Sequence, residues 1–408
     1  MFPRRSACLV LALVLGAGAG VSSAQETRAA VLERQRAEKA QALAPYEPSR
    51  LERWMLWFED VDPLTRLAPH NGFYARYGFQ WRPVGSGMGM GVGFRHDLFD
   101  RTTRIDLGAG ITMRNYQMLQ ADVSLPYLWN ERIELGAYAV TRHNPQEDFW
   151  GLGPDSRGDD RVTFGVDYTD YQARLVARPL PWIEAAARFG SLQGSLEPGS
   201  DPRFPSIEER FTDADVPGMS EHPDYRYTEL TGAIDYRDQD DNARAGGYYG
   251  LAWRKYTDLQ LDRYNFSQMD AHAQQFFPIF DKKRVFALQA RLLTSSHDEG
   301  QRVPFYFKPT LGGSRSLRSY NDYRFRDDYA FHLNVEYRWE AFSGLDMALF
   351  SDWGAIAPRW EALRMAELKN AYGIGFRFNT YRAVWLRLDI GLGGDEGTRY
   401  FLKLSKAF

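Results

Sequence analysis

The chain has 408 residues, a formal net charge of −3 and a mean hydropathy of −0.48, the average of a water-soluble protein. Beyond the first residues, no apolar run approaches the roughly 18–20 residues of a membrane helix, so a helical membrane protein is excluded. The chain is rich in Gly (36), Tyr (23), Phe (26) and Trp (11). This composition is typical of an exported all-β protein, and membrane β-barrels average out to polar because only every second residue faces lipid.

The N-terminus predicts export. Two arginines, at positions 4 and 5, precede an apolar stretch and a small-x-small site that ends at Ala24, so we expect a signal peptide over 1–24. An uncleaved anchor helix is the alternative. Cys8, the one cysteine, lies in this segment, so the mature chain is expected to have neither disulfides nor cysteine-ligated metal. Losing two arginines and no acidic residue takes the net charge from −3 to −5, which argues against a nucleic-acid partner.

Residues 25–71 are predicted to form a helical extension. The stretch 26–44 is rich in Ala, Glu, Arg and Gln and has neither Gly nor Pro, while 51–58 has an amphipathic pattern with Trp54 and Trp57. The extension is either a periplasmic plug or a helix on the inner leaflet, or it is a tether with no role of its own.

From residue 72 onward, apolar and polar residues alternate. In the stretch 331–335, Phe331, Leu333 and Val335 lie on one face and polar residues on the other, as in a pleated strand. Strands in globular proteins usually have about 5–6 residues, whereas membrane strands need about 9–11. The alternation predicts sixteen segments, most of them 10–16 residues long: 73–82, 86–96, 102–113, 115–126, 131–143, 161–178, 181–196, 225–238, 244–258, 262–277, 282–297, 328–340, 343–354, 370–379, 381–391 and 398–408.

The connections alternate in length as well. Those after even-numbered segments are short, and those after odd-numbered segments include the long stretches 144–160, 197–224, 298–327 and 355–369. Short periplasmic turns and long external loops are typical of outer-membrane barrels with both termini in the periplasm. The pattern changes phase near Thr169, which suggests a bulge or a misplaced boundary there. The sequence therefore predicts that residues 72–408 form a sixteen-stranded antiparallel transmembrane β-barrel of a Gram-negative outer membrane.

The last residues support this interpretation. Tyr400, Leu402, Leu404 and Phe408 share one face, and the chain ends on an aromatic residue. This pattern is similar to an outer-membrane assembly signal, although Lys406 stands where an apolar residue is more usual.

Two motifs indicate which family of outer-membrane barrels the chain resembles. The loop before the twelfth segment contains Gly312-Gly313 followed by Leu317-Arg318-Ser319-Tyr320, and the thirteenth segment ends with Phe350-Ser351-Asp352-Trp353-Gly354. Together they resemble the two signatures of the bacterial surface antigen superfamily, the BamA/TamA-type outer-membrane assembly proteins. The strand count puts both motifs where that family has them, in the sixth external loop and on the thirteenth strand.

The resemblance implies that the sixth loop folds into the barrel lumen and that Arg318 meets Asp352 on the inner wall. Strand parity also points Asp352 inward. Ser319 replaces the usual glycine, which puts the turn at the loop tip in doubt because Ser resists positive φ. Three further polar residues are expected to face the same lumen, either as a network or, more simply, as an ordinary polar barrel wall: Glu336, Arg338 and Arg377.

The resemblance also implies a function in outer-membrane biogenesis, by insertion or translocation of protein through a weak seam between the first and last strands. Because 25–71 is too short for a polypeptide-transport-associated domain, the chain resembles barrel-only members. The expected partners are outer-membrane lipid and either unfolded outer-membrane protein clients or a periplasmic protein. The alternative is a passive pore, or a structural or binding barrel that has lost insertase activity.

No catalytic, nucleotide, cofactor or metal motif is present: the sequence lacks Gly-x-Ser-x-Gly, a phosphate-binding loop and His-Glu-x-x-His. The chain is therefore not expected to be an enzyme or to hold a cofactor or metal. A third hypothesis, an outer-membrane lipid hydrolase, would depend on His297 with Ser295 or Ser296 at the barrel rim.

Overall fold

The structure is a computed structural model that describes residues 48–61, 71–77, 86–99, 101–364, 368–380 and 383–404, without the side chains of 58–61, 77 and 404. The predicted signal peptide and the helix predicted over 26–44 lie outside these residues. Two units divide the chain, Met1–Pro48 and Ser49–Phe408, and all the strands lie in the second.

The predicted sixteen-stranded antiparallel barrel is confirmed. All sixteen strands belong to one sheet in which each pairs with its neighbours in the chain. The first eight strands are β1 (Gly72–Tyr77), β2 (Gly89–Leu98), β3 (Thr103–Thr112), β4 (Gln117–Leu128), β5 (Ile133–Phe149), β6 (Val162–Leu180), β7 (Ile183–Pro198) and β8 (Tyr225–Asp235). The other eight are β9 (Gly246–Asp258), β10 (Phe266–Ile279), β11 (Arg284–His297), β12 (Tyr329–Phe342), β13 (Leu345–Ala357), β14 (Lys369–Asn379), β15 (Val384–Leu392) and β16 (Arg399–Leu404).

The sheet exposes its apolar face and buries its polar one. On β13, Leu349 is 53% exposed, whereas Asp346 is 3% and Asp352 is 0% exposed. Because successive side chains of a strand point to opposite faces, the apolar side chains lie outside and the charged ones face the lumen. This arrangement is the reverse of a soluble protein and suits a lipid environment.

The phase change near Thr169 is not a bulge. β6 runs unbroken from Val162 to Leu180, and Thr169 pairs in register with Thr141 and with Gln193. The polarity of the two faces is exchanged at Thr169. Between Thr169 and Leu180 the outer face of β6 is apolar. Between Val162 and Thr169 the inner face is apolar and packs in an aromatic core around Phe164. The strand therefore leaves the apolar belt and continues beyond it, and this exchange looks like a phase error in the sequence.

The sheet begins at β1 and ends at β16. The six described residues of β1 pair with β2, and the six described residues of β16 pair with β15. No ladder joins β1 to β16 within the part of the chain that the structure describes. We call the junction of β1 and β16 the seam.

A helix, α1 (Arg50–Val61), lies against the turn between β12 and β13. Ser49 caps it by accepting a hydrogen bond from the Glu52 backbone N–H (3.1 Å), and Ser49 Oγ donates to the carbonyl of Ser343 in that turn (2.6 Å). Met55 is 2% exposed, and Gly344 leaves room for it. Among the described residues, no helix is long and apolar enough to cross a membrane.

Candidate functional site in the barrel lumen

The sixth loop, residues 298–328, connects β11 to β12 and returns into the barrel. Pairing of Thr310–Leu311 with Phe325–Arg326 closes the base of a hairpin, whose residues 312–324 we call the loop tip. Leu317 and Tyr320 of the tip are 0% and 3% exposed and pack against the hairpin base, β12 and β13. The loop therefore has an apolar core of its own that ties it to the barrel wall.

Two glycines form the turn at the start of the tip. Gly312 has φ 119° and Gly313 has φ 86°, in the region that favours glycine. A Cβ atom on Gly313 would clash with the Asp322 carboxylate and lie 2.8 Å from the Cα atom of Asp322, so a side chain there would force the tip backbone to shift. Ser319 is buried and does not have a positive φ, so the doubt raised by its serine does not apply to this turn.

Arg318 is the centre of the tip and is 3% exposed. Its Nε and Nη2 donate to the two carboxylate oxygens of Asp352 at 2.9 and 2.7 Å, and its backbone N–H donates to the same group at 3.1 Å. Its Nη1 donates to Glu336 at 2.7 Å, and the Phe350 ring centre lies 3.5 Å from Cζ. Burial disfavours the charged guanidinium, but Asp352 and the other carboxylates outweigh burial and hold the pKa of Arg318 above its ordinary value.

An ion-pair network continues from Arg318 along four consecutive strands. Glu336 on β12 also accepts from Arg338 (2.7 Å) and from Arg377 on β14 (3.0 Å). Arg377 in turn donates to Asp389 on β15 at 2.7 Å. One loop residue therefore connects β12, β13 and, through Arg377, β14 and β15. Asp352, Glu336 and Asp389 are 0, 6 and 1% exposed, and such buried charges are stable only when they are paired.

The loop tip also contacts the last hairpin of the sheet, β15–β16. A Cβ atom on Gly391 would lie 1.6 Å from the Arg318 carbonyl oxygen, so the loop backbone rests directly on β15. Glu396, in the turn between β15 and β16, accepts from the backbone and side chain of Asn321 (2.9 Å each) and pairs with Arg324. The loop is thus fixed to one edge of the seam.

The family is settled by a direct match. A model of the Omp85 superfamily domain matches residues 85–401. The chain belongs to the Omp85 superfamily. This result confirms the resemblance to the BamA/TamA-type proteins.

A solved structure shows the same fold. The Omp85 barrel superimposes on the crystal structure of BamA from Haemophilus ducreyi lacking POTRA domains 1–3, with a TM-score of 0.57, 12% identity, and coverage of 82% of this chain and 66% of that one. CdiB from Acinetobacter baumannii gives a TM-score of 0.44 and 12% identity, with coverage of 82% of this chain and 59% of that one. CdiB from Escherichia coli gives a TM-score of 0.49 and 12% identity, with coverage of 83% of this chain and 61% of that one. The chain thus spans about two thirds or less of the length of these structures. No curated protein matches it.

The remaining motif residues of the Omp85 barrel have distinct surroundings. Phe350 lies under the Arg318 guanidinium, and a Cβ atom on Gly354 would lie 3.0 Å from the Leu311 side chain of the hairpin base. Tyr400 and Leu402 of the predicted assembly signal are 70% and 65% exposed on the outer face. The side chain of Leu404 and all of Phe408 lie outside the described residues.

Three contact residues were not singled out from the sequence. Asn334 donates to Asp352 (2.8 Å) and to the Ser316 carbonyl (2.6 Å), and Asp389 and Glu396 accept from the arginines described above. Strand parity already places Asn334 and Asp389 on the inward face. No sequence signal identifies Glu396, because its partners lie about 75 residues earlier in the chain.

The rim residues considered for hydrolysis are not arranged as a catalytic pair. His297 Nδ1 lies 3.0 Å from the Asp298 carbonyl oxygen, while Ser295 Oγ accepts from Gln268 (3.1 Å). Among the described residues, one group has potential metal-ligand atoms within 4.8 Å of one another, on the outer face: His143, Asp167 and Glu197. In that group His143 and Asp167 already bond to each other at 2.6 Å.

Proposed function

We propose that this Omp85 barrel inserts or translocates polypeptides in the outer membrane through the seam between β1 and β16. The observation that carries the proposal is the seam itself, where no ladder joins β1 to β16 among the described residues. Unpaired strand edges bind an additional strand through their free N–H and C=O groups. A client strand could therefore pair with β1 or β16.

The lumen supports this function better than a pore. The loop tip lies inside the barrel and is held there by Arg318 through two buried ion pairs, with Asp352 and Glu336. Open 16-stranded porins leave an aqueous channel, whereas this lumen holds a loop fixed to its wall. In the proposed orientation, the rim with the long loops faces outside and both termini face the periplasm, where a client or a periplasmic partner would arrive.

Seam opening can be tested with engineered disulfides. Cys8 is replaced by Ser, and a cysteine is placed at Ala75 in β1. In a series of variants, a second cysteine is placed at each position from 400 to 403 in β16. The variant that forms a disulfide on oxidation identifies the pair in register. In liposomes, we expect the oxidised form to lose the ability to fold a urea-unfolded eight-stranded barrel, and we expect reduction to restore that ability. Folding of this client barrel is measured by its heat-dependent gel migration.

The matched control is a disulfide between positions 92 and 109, which pair across β2 and β3 away from the seam. It should leave the folding rate of the client unchanged. Full activity with a quantitatively closed seam would overturn the proposal.

A further inference from the structure

The lumen contains a chamber of about 350 Å³ beneath the loop tip. On one side it is lined by the tip residues Ser314 and Arg315, and on the other by Asp240 and Asp241 of the turn between β8 and β9. Asn242 of this turn donates to the Thr380 carbonyl (2.9 Å) beyond β14. The turn therefore extends across the lumen, and the tip, the turn and the barrel wall line the chamber.

Guanidinium groups that do not use all of their N–H donors line this chamber. Arg315 is exposed to it and has no hydrogen bond or ion pair with any described residue. Arg387 uses only Nε, which donates to Asp389 at 2.5 Å, and Arg338 uses Nε and Nη1, which leaves its Nη2 free. Several charged N–H donors of residues that line the chamber therefore have no protein acceptor among the described residues.

The charge balance on the loop-tip side is positive. Arg318, Arg338, Arg377 and Arg387 share only three carboxylates, those of Glu336, Asp352 and Asp389. Arg315 adds another positive charge on the chamber surface. Two further lining arginines are already paired, Arg237 with Asp235 and Arg291 with Asp270.

The chamber wall also contains one buried polar atom without a hydrogen bond, on β10. Nε2 of His272 on β10 is buried and makes no hydrogen bond in the structure, although His272 lines the same chamber. Buried polar atoms are nearly always bonded, to protein, water or a ligand.

We propose that the chamber binds an anion of the phosphate class, either inorganic phosphate or a phosphomonoester headgroup, held by Arg315, Arg338 and Arg387. A guanidinium fork matches an oxyanion in geometry, and its charge-assisted bonds are about twice as strong as neutral ones. Asp240 repels the anion from the turn side and keeps it near the tip. Because Arg315 belongs to the tip, the bound anion connects the loop to β12 and β15. The binding does not depend on the function proposed above.

The test is calorimetric titration of the full chain in non-ionic detergent and phosphate-free buffer, with inorganic phosphate and, separately, sn-glycerol 3-phosphate. We expect saturable binding of at least one of them, and the tighter one identifies the source of the ligand. Arg315→Gln should weaken binding about tenfold, as for one lost bond to a charged group. Asp240→Asn should strengthen it roughly twofold by removing a repulsion across the chamber.

Arg359→Gln is the matched control, because Arg359 is an exposed arginine outside the chamber, and it should bind as the unaltered chain does. Folding of each variant is checked by heat-dependent gel migration. Absence of binding up to millimolar ligand, or equal affinity of the Arg315→Gln variant, would overturn the proposal.

Discussion

Arg318 places one positive charge between two buried carboxylates, Asp352 and Glu336, at 2.7 Å from each. Removing one partner of a buried pair is strongly destabilising, by about 3–5 kcal/mol, because it leaves the other charge unpaired. In Arg318→Ala we therefore expect the tip to leave the lumen so that water can solvate the carboxylates. Trypsin should then cut residues 302–326 at least tenfold faster.

The trypsin cleavage rate of Arg318→Lys should lie between those of the unaltered chain and Arg318→Ala, since an ammonium keeps the charge but lacks the bidentate geometry. Arg359→Ala removes an exposed arginine and serves as the control. Cleavage at an unchanged rate in Arg318→Ala would show that the apolar contacts of Leu317 and Tyr320 hold the tip without the ion pair.

For single residues, the sequence predicted which side chains face the lumen better than it predicted which side chains contact each other. Parity placed Asp352, Glu336 and Asp389 on the inward face, because the side-chain period of a strand is two. It gave no distances across the barrel, so Arg377 and Asp389 could not be distinguished from an ordinary polar wall. The contact of Glu396 with Asn321 depends on how two loops fold, which no periodicity records.

Among the elements, β1 is held to the sheet from the lumen side as well as by its ladder. The Tyr74 hydroxyl donates to Asp106 on β3 (2.8 Å), and Arg76 pairs with the same carboxylate (3.1 Å). Glycines leave room for both side chains: a Cβ atom on Gly93 of β2 would clash with the Tyr74 ring, and one on Gly108 of β3 would clash with the Arg76 guanidinium. Asp106 thus fixes a strand whose described residues pair on one side only.

In Asp106→Ala, β1 keeps only its pairing with β2. We expect amide hydrogen exchange over residues 72–77 to rise at least tenfold, which corresponds to a loss of about 1.4 kcal/mol. Asp97→Ala is the control, because Asp97 pairs with Arg104 between β2 and β3 and does not contact β1. Equal exchange in the two variants would mean that the ladder alone holds β1.

The number, order and direction of the strands were predictable because the apolar belt imposes a strict alternation on every strand. The positions at which the strands end were not predictable. β5 and β6 extend past the belt, where the inner face becomes aromatic and the outer face polar, so the alternation that marks a membrane strand is inverted there.

For the whole molecule, the consequence of an occupied lumen is low conductance. The loop tip and the turn 236–245 both lie across the lumen, so we expect small currents from the unaltered chain in planar bilayers. Replacing 312–324 by a short Gly-Ser linker should raise the conductance several-fold, toward that of an open 16-stranded barrel.

The control for this measurement shortens the loop between β13 and β14, whose residues 358–361 are exposed. It should leave the current unchanged. A steady, large conductance of the unaltered chain would favour the passive-pore hypothesis over insertion through the seam.

The position of Arg318 has a further consequence for how the barrel is built. Its partners are correctly placed only if β12 to β15 pair in one register, with Asn334 opposite Asp352 and Gly375 opposite Asp389. A slip of one residue in any of these ladders would turn a carboxylate to the lipid side. The guanidinium would then have no site to enter. We therefore expect the sixth loop to dock only after β12 to β15 have paired, and Arg318 to stay undocked in a barrel with the wrong register.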